Sequence, residues 1–180
     1  AHDYRAAAQA YGYTFLQAEA MAIDRDKRRV HTANGALDYD WLVLAVGIRH
    51  DYAAWFGNDS RAIEHTKQNY FCAWTPGDEF RALKARLDNF KGGDLVMTIP
   101  SPPYRCQLAP YERALVIGHL FKTRAMSGRL TLLDPNPPPQ RFADVFEDRY
   151  KDQIAIVPHA RVKSVDPFAK TIATEFDDIR

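Results

Sequence analysis

Three short runs, residues 94–99 (DLVMTI), 129–133 (RLTLL) and 154–157 (IAIV), are apolar almost throughout and do not alternate. An alternating strand has one wet face, whereas a strand apolar throughout is buried on both, the habit of parallel sheets covered by helices. Between the runs lie two helical patterns. Residues 111–126 present a wide apolar face through Ala114, Leu115, Ile117, Gly118 and Phe121, and a shorter helix spans 142–150. The resulting β-α-β-α-β order is half of a doubly wound dinucleotide-binding α/β fold. A further helix is expected before it, with Thr75 as N-cap, Pro76 at its first position and acids in its first turn. Phe80, Leu83, Leu87 and Phe90 give that helix one apolar stripe, and Gly92-Gly93 stops it.

The residues ahead of this half-fold read differently. Residues 1–11 end a short helix stopped by Gly12. Residues 13–23 are extended, 24–27 form a polar turn and 28–32 alternate. Asn34-Gly35 signals a type I′ hairpin, so this region is an antiparallel meander. The cluster Arg25, Lys27, Arg28 and Arg29 reads as its solvated tip. Residues 41–46 (WLVLAV), ended by Gly47, again have the pattern of a strand buried on both faces. A meander cannot supply the parallel neighbours such a strand needs, so its sheet is expected to lie mostly outside this sequence. The chain also opens on Ala1. Residues 161–165 and 171–176 read as a terminal hairpin.

Composition narrows the function classes. The chain has 180 residues, 24 Lys+Arg against 23 Asp+Glu, and a formal charge of +1, which gives no drive toward nucleic acid or an anionic membrane. Its apolar runs are far shorter than the roughly 20 residues of a membrane span, and no stretch reads as a signal peptide. Two cysteines make neither a disulfide framework nor a zinc knuckle. Six histidines are scattered, and Glu112 and His119 share a helix face without a third ligand, so no metal site is expected.

The loop after the first buried strand is where a dinucleotide-binding fold cradles phosphate. The nine glycines never space out as GxGxxG, and the loop reads PSPPYRCQLAP over residues 100–110. Proline has no N–H to donate, so the architecture is kept and the pyrophosphate grip lost. Asp134 stands where a ribose-binding acid would be, although Asp before Pro is also a turn residue. Cys106 follows Arg105 and precedes a helix start, and a cation and a helix N-terminus both favour a thiolate. Cys72, among aromatic neighbours, reads as a buried structural thiol.

The string PPYRCQLAPYERA over residues 102–114 closely resembles the PP-(F/Y)-R-C-x-x-x-PYERA stretch of the flavoprotein subunit of flavocytochrome c sulfide dehydrogenase. It is more distantly similar to sulfide:quinone oxidoreductases. The meander at 23–30, Tyr39-Asp40, the strand 42–47, Ala73-Trp74 and LTLLD at 130–134 fall in family order, so the resemblance covers nearly the whole chain. It implies an FAD/NAD(P)-binding Rossmann-like fold, the α/β architecture of a two-dinucleotide-domain flavoprotein, of which this chain covers the middle part. Residues 1–70 would be part of the FAD-binding domain, and residues 71–180 a degenerate NAD-like domain carrying Cys106.

In function the resemblance implies an FAD-dependent oxidoreductase. Sulfide attacks a redox cysteine pair beside the flavin, and electrons leave for a c-type cytochrome subunit or a quinone. Cys106 matches the first cysteine of that pair, with Arg105 beside it. Ala45 and Gly47 match the strand-end turn next to FAD, and Ala20 a backbone contact to its adenine end. The family's N-terminal GxGxxG, its C-terminal Gly-Asp motif and its second redox cysteine have no match here, and Gln107-Leu108-Ala109 replaces Pro-Pro-Gly. The fragment alone is therefore expected to be inactive. By resemblance the location is the periplasm, with a membrane-peripheral or cytoplasmic site as the alternative. The rival functions are an NAD(P)H-dependent flavoprotein and a non-catalytic α/β interaction module.

Overall fold

The structure, a computed structural model, describes residues 3–47, 49–72, 77–176 and 178–179. It divides into two compact units, residues 1–50 and 51–180. The sequence reading placed its domain boundary at 70.

In the first unit, helix α1 (Tyr4–Tyr11) is capped by the Asp3 side chain and closed by Gly12 at φ 71°. Tyr4 stacks on Phe15 at 5.6 Å. Strands β1 (Ala20–Asp24), β2 (Arg29–Thr32) and β3 (Gly35–Asp38) form the expected antiparallel meander. Arg29 grips Asp38 across β2 and β3 with two hydrogen bonds of 2.5 and 2.9 Å. The hairpin turn differs from its expected type. Thr32 pairs with Gly35, so Ala33 and Asn34 are the loop residues, and the positive φ (124°) falls on Gly35 alone. A type I′ turn needs positive φ at both loop residues, and Ala33 pays a steric penalty there that Gly does not.

Residues 41–46 are corrected more strongly. They form no strand, and Trp41, Val43 and Val46 are 92%, 84% and 90% exposed. A strand exists only through the ladder bonds of a neighbour, and none pairs with this run among the described residues.

The second unit holds the half-fold. Strands β4 (Leu95–Thr98), β5 (Leu130–Leu133) and β6 (Ile154–Val157) form a parallel sheet in that order, in register Leu95–Leu130–Ile154. Its crossover helices are α5 (Ala109–Thr123) and α6 (Gln140–Tyr150), which pack together. The core between them takes Ile99, Ala114, Ile117, Phe121, Leu130, Leu132, Phe146 and Ile154. Each fully buried Leu or Phe contributes about 1.5–3 kcal/mol by leaving water. α5 ends three residues before the expected Met126. Ala125 takes a left-handed φ of 48°, while the amides of Ala125 and Met126 close on the carbonyls of Lys122 and Phe121. This is the usual glycine-type helix stop made without glycine, which is why the sequence hid it.

The preceding helix α4 (Asp78–Asn89) starts from Gly77, with Asp78 and Glu79 in its first turn. The expected cap Thr75 and Pro76 lie outside the described residues, as do Ala73 and Trp74. Phe90, just past α4, stacks on Phe121 at 5.5 Å. Helices α2 (Ala53–Phe56) and α3 (Ser60–Asn69) were not expected, although Asp59 caps α3 by accepting from the Ala62 amide. α2 packs on α3 and on the terminal strand β7 (Val162–Asp166), which pairs antiparallel with β8 (Thr171–Thr174). Tyr70 donates to the Pro167 carbonyl at 2.7 Å, and Arg61 lies over the Phe168 ring. A short strand, β9 (Asp178–Ile179), extends that hairpin to three strands.

Candidate functional site

β4 runs into Ile99, 3% exposed, and the chain then leaves the core through residues 100–108. Cys106 is in this loop, exposed, with its backbone at φ 57°. A non-glycine residue in the left-handed region costs on the order of 1 kcal/mol and persists where its surroundings hold it. Here the Ala109 amide donates to the Cys106 carbonyl at 3.1 Å, and the Tyr104 hydroxyl donates to the Gln107 carbonyl at 3.3 Å. Arg105, the preceding residue, is exposed as well. α5 thus begins three residues after Cys106, two before the expected residue 111.

The loop has little to offer a phosphate. Pro100, Pro102, Pro103 and Pro110 have no N–H. The Ala109, Tyr111 and Glu112 amides are already bonded to Cys106 and Leu108 carbonyls. Nine of the eleven prolines follow the carboxyl ends of β4, β5 and β6: these four, Pro135, Pro137, Pro138, Pro139 and Pro158. The expected loss of a pyrophosphate grip thus rests on engaged amides as well as on proline.

Asp134 at the end of β5 is fully buried. Its Oδ2 accepts from the Tyr111 hydroxyl at 2.6 Å and its Oδ1 from the Asn136 amide at 2.9 Å. Both oxygens are engaged inside the fold, so the turn reading holds and the ribose reading has no free oxygen to use. Tyr111, 4% exposed, was missed as a functional residue. The signal was a phenol on the apolar face of a helix, which needs a buried partner.

Burial, and after it the bond to Asp134, holds the Tyr111 hydroxyl well above the usual phenol range. The folded chain keeps a proton that the unfolded chain releases near pH 10. Its contribution to stability is therefore complete below about pH 10 and is lost above it, at up to roughly 1.4 kcal/mol per pH unit. Tyr52 and Tyr104 are raised too, chiefly by burial. Tyr111→Phe should accordingly reduce this alkaline slope without removing it. Urea unfolding at pH 9 and pH 11 should show the stability gap between wild type and Tyr111→Phe narrowing with pH. A constant gap would mean that the bond does not hold the proton.

Ala20, Ala45 and Gly47 belong to the first unit, and the loop and Cys72 to the second. Ala20 opens β1 and is exposed, and Ala45 and Gly47 lie in the strandless run after β3. Cys72 is half-buried rather than buried, and its amide donates to Glu79 Oε1 at 2.6 Å. Among the described residues, no group of three or more His, Cys, Asp or Glu side chains could hold a metal, and no helix is long and apolar enough to cross a membrane.

A parallel α/β half-fold in a chain that also carries an antiparallel meander has the Rossmann-like architecture found in the two-dinucleotide-domain flavoproteins. The crystal structure of the ferredoxin reductase for the CYP199A2 system from Rhodopseudomonas palustris superposes with a TM-score of 0.57 and 16% identity, covering 94% of this chain and 39% of that one. At that identity the likeness is one of fold, and the present chain spans well under half of that reductase. Within the class, residues 80–180 match the model of the central part of the flavoprotein chain of sulfide dehydrogenase (flavocytochrome c), and the chain belongs to that family.

The residues present meet a flavin dinucleotide unequally. Gly47 has φ 77° and open space where a Cβ would stand, so its backbone can be approached closely. The loop of the second unit, with its prolines and engaged amides, does not suit a dinucleotide.

Proposed function

We propose that this chain is part of an FAD-dependent sulfide dehydrogenase in which Cys106 handles the sulfur. The observation that carries this reading is an exposed thiol fixed in a left-handed backbone at the carboxyl edge of a parallel sheet. That edge is where α/β folds place their chemistry. FAD, when bound, supplies a two-electron acceptor that can discharge to a one-electron partner. In this chain Ala20, Ala45 and Gly47 would meet it through their backbone.

The work of Cys106 is thiol–disulfide exchange. With Cys106 joined to a second cysteine, hydrosulfide attacks its Sγ. A sulfur–sulfur bond forms to the incoming sulfur, the bond to the second cysteine breaks, and that cysteine leaves as a thiolate. Arg105 provides positive charge beside the exchanging sulfur. The acceptor is a c-type cytochrome subunit, with a quinone as the alternative, and the enzyme works in the periplasm. An NAD(P)H-dependent reading has less support, because proline replaces glycine in the loop that would take the nicotinamide dinucleotide and the Ala109, Tyr111 and Glu112 amides at the start of α5 are engaged.

The test is a visible spectrum of the intact protein followed by anaerobic addition of sulfide or NADH. A flavin band that bleaches with sulfide and recovers on addition of a c-type cytochrome is the expected result. Recovery only with a short-chain quinone would replace the acceptor. A colourless protein, or a flavin bleached by NADH and indifferent to sulfide, would overturn the proposal.

A further inference from the structure

We infer that Tyr111 and Asp134 are positioning residues for Cys106, forming a buried latch that fixes the loop carrying the thiol. This inference rests on the reading of Cys106 as the sulfur-handling thiol. The Cys106 carbonyl is held by the Ala109 amide, and Leu108 accepts from the Tyr111 and Glu112 amides, so the loop hangs on the first turn of α5. That turn is tied to the sheet by the Tyr111 side chain, whose hydroxyl meets Asp134 Oδ2 at 2.6 Å across 23 residues of sequence. Asp134 is itself immobilised. It is fully buried, its other oxygen is taken by the Asn136 amide, and its backbone bridges Val157 and Ala160.

The latch is short, buried and bonded to a carboxylate, which places it among the stronger hydrogen bonds of a protein. It puts to structural use the acid that ends the second strand of a dinucleotide-binding half-fold. Tyr104 adds a second tie, packing against the core and donating to the Gln107 carbonyl. Without the latch, the left-handed backbone of Cys106 rests on the weaker ties of Ala109 and Tyr104 alone, and the geometry presented to an attacking sulfur loosens.

The full chain is alkylated with iodoacetamide between pH 6 and pH 9, and modification of Cys106 is counted by peptide mass, separately from Cys72. Tyr111→Phe and Asp134→Asn are compared with Phe121→Leu, a core change ten residues further along α5 that lowers stability without touching the latch. At pH 7 the rate at Cys106 should change at least threefold in both latch variants and stay within threefold of wild type in Phe121→Leu. A change below threefold in the latch variants, or an equal change in Phe121→Leu, would overturn the inference. Alkylation needs no sulfide turnover. Should Cys106 prove dispensable for sulfide oxidation, the functional reading would fail and the latch result would stand on its own.

Discussion

In the intact enzyme, Cys106→Ser is expected to lower sulfide turnover about a thousandfold or more while leaving the fold in place. A hydroxyl can neither form the disulfide that hydrosulfide attacks nor hold the incoming sulfur as a persulfide, and losing the reacting group of a covalent mechanism has costs of this order. Stability should change by no more than about 0.5 kcal/mol, because the side chain is exposed and serine differs from it by one atom. The thermal midpoint separates the two effects. Turnover within tenfold of wild type would remove Cys106 from the chemistry, and loss of turnover together with folding would make the residue structural. Cys72→Ser provides the contrast, with turnover expected within a few-fold of wild type.

Gly128→Ala is expected to be the most damaging single-methyl change in the second unit. Gly128 stands at φ 125°, and a Cβ there would come closer to the backbone of Gly93 than real Cβ atoms ever approach. Nothing at the site can yield cheaply, because the obstacle is main chain rather than a flexible side chain. Gly92 faces Ser127 in the same way, and the Gly93 amide donates to the Ser127 carbonyl at 2.7 Å. The two strand entries are thus locked together two to three residues before the β4–β5 ladder begins. Backbone strain and overpacking cost about 1–3 kcal/mol each, so the loss should reach about 3 kcal/mol or more, a large part of the stability of an ordinary domain. The midpoint should fall by roughly 6–12 °C, given 2–4 °C per kcal/mol for chains of this size. Gly12→Ala is the control, since Gly12 shares a positive φ but has open space around it. Equal losses at both sites would show that backbone conformation, not the close approach, sets the cost.

The half-fold was legible in the sequence because each of its parts carries its own signal. Strands β4, β5 and β6 are apolar runs, and α5 and α6 are striped between them. The same signal at residues 41–46 did not yield a strand. An apolar run states what a segment needs, and the neighbours that would satisfy it are not stated there. Helix α3 carries little signal in the sequence, because it is mostly polar and only Asp59 marks its start. At the site, Cys106 stood out through its neighbours in sequence, Arg105 and a helix start. The pair Tyr111–Asp134 did not, because its members are 23 residues apart and meet only once the sheet has formed.

The prolines at the carboxyl edge of the sheet bear on how a thiol can be both open and still. A reactive side chain needs access to solvent, and access usually brings mobility, because an exposed loop has few contacts to order it. Proline orders a loop from within, by narrowing the states the unfolded chain could otherwise visit, at about 0.4–1 kcal/mol for each compatible residue. The rim around Cys106 therefore does not need to bury itself to keep its shape. The freedom left to the sulfur is mainly rotation about its own Cα–Cβ bond, so an incoming reactant meets a sulfur that swivels on a rigid mount rather than drifting with a loop.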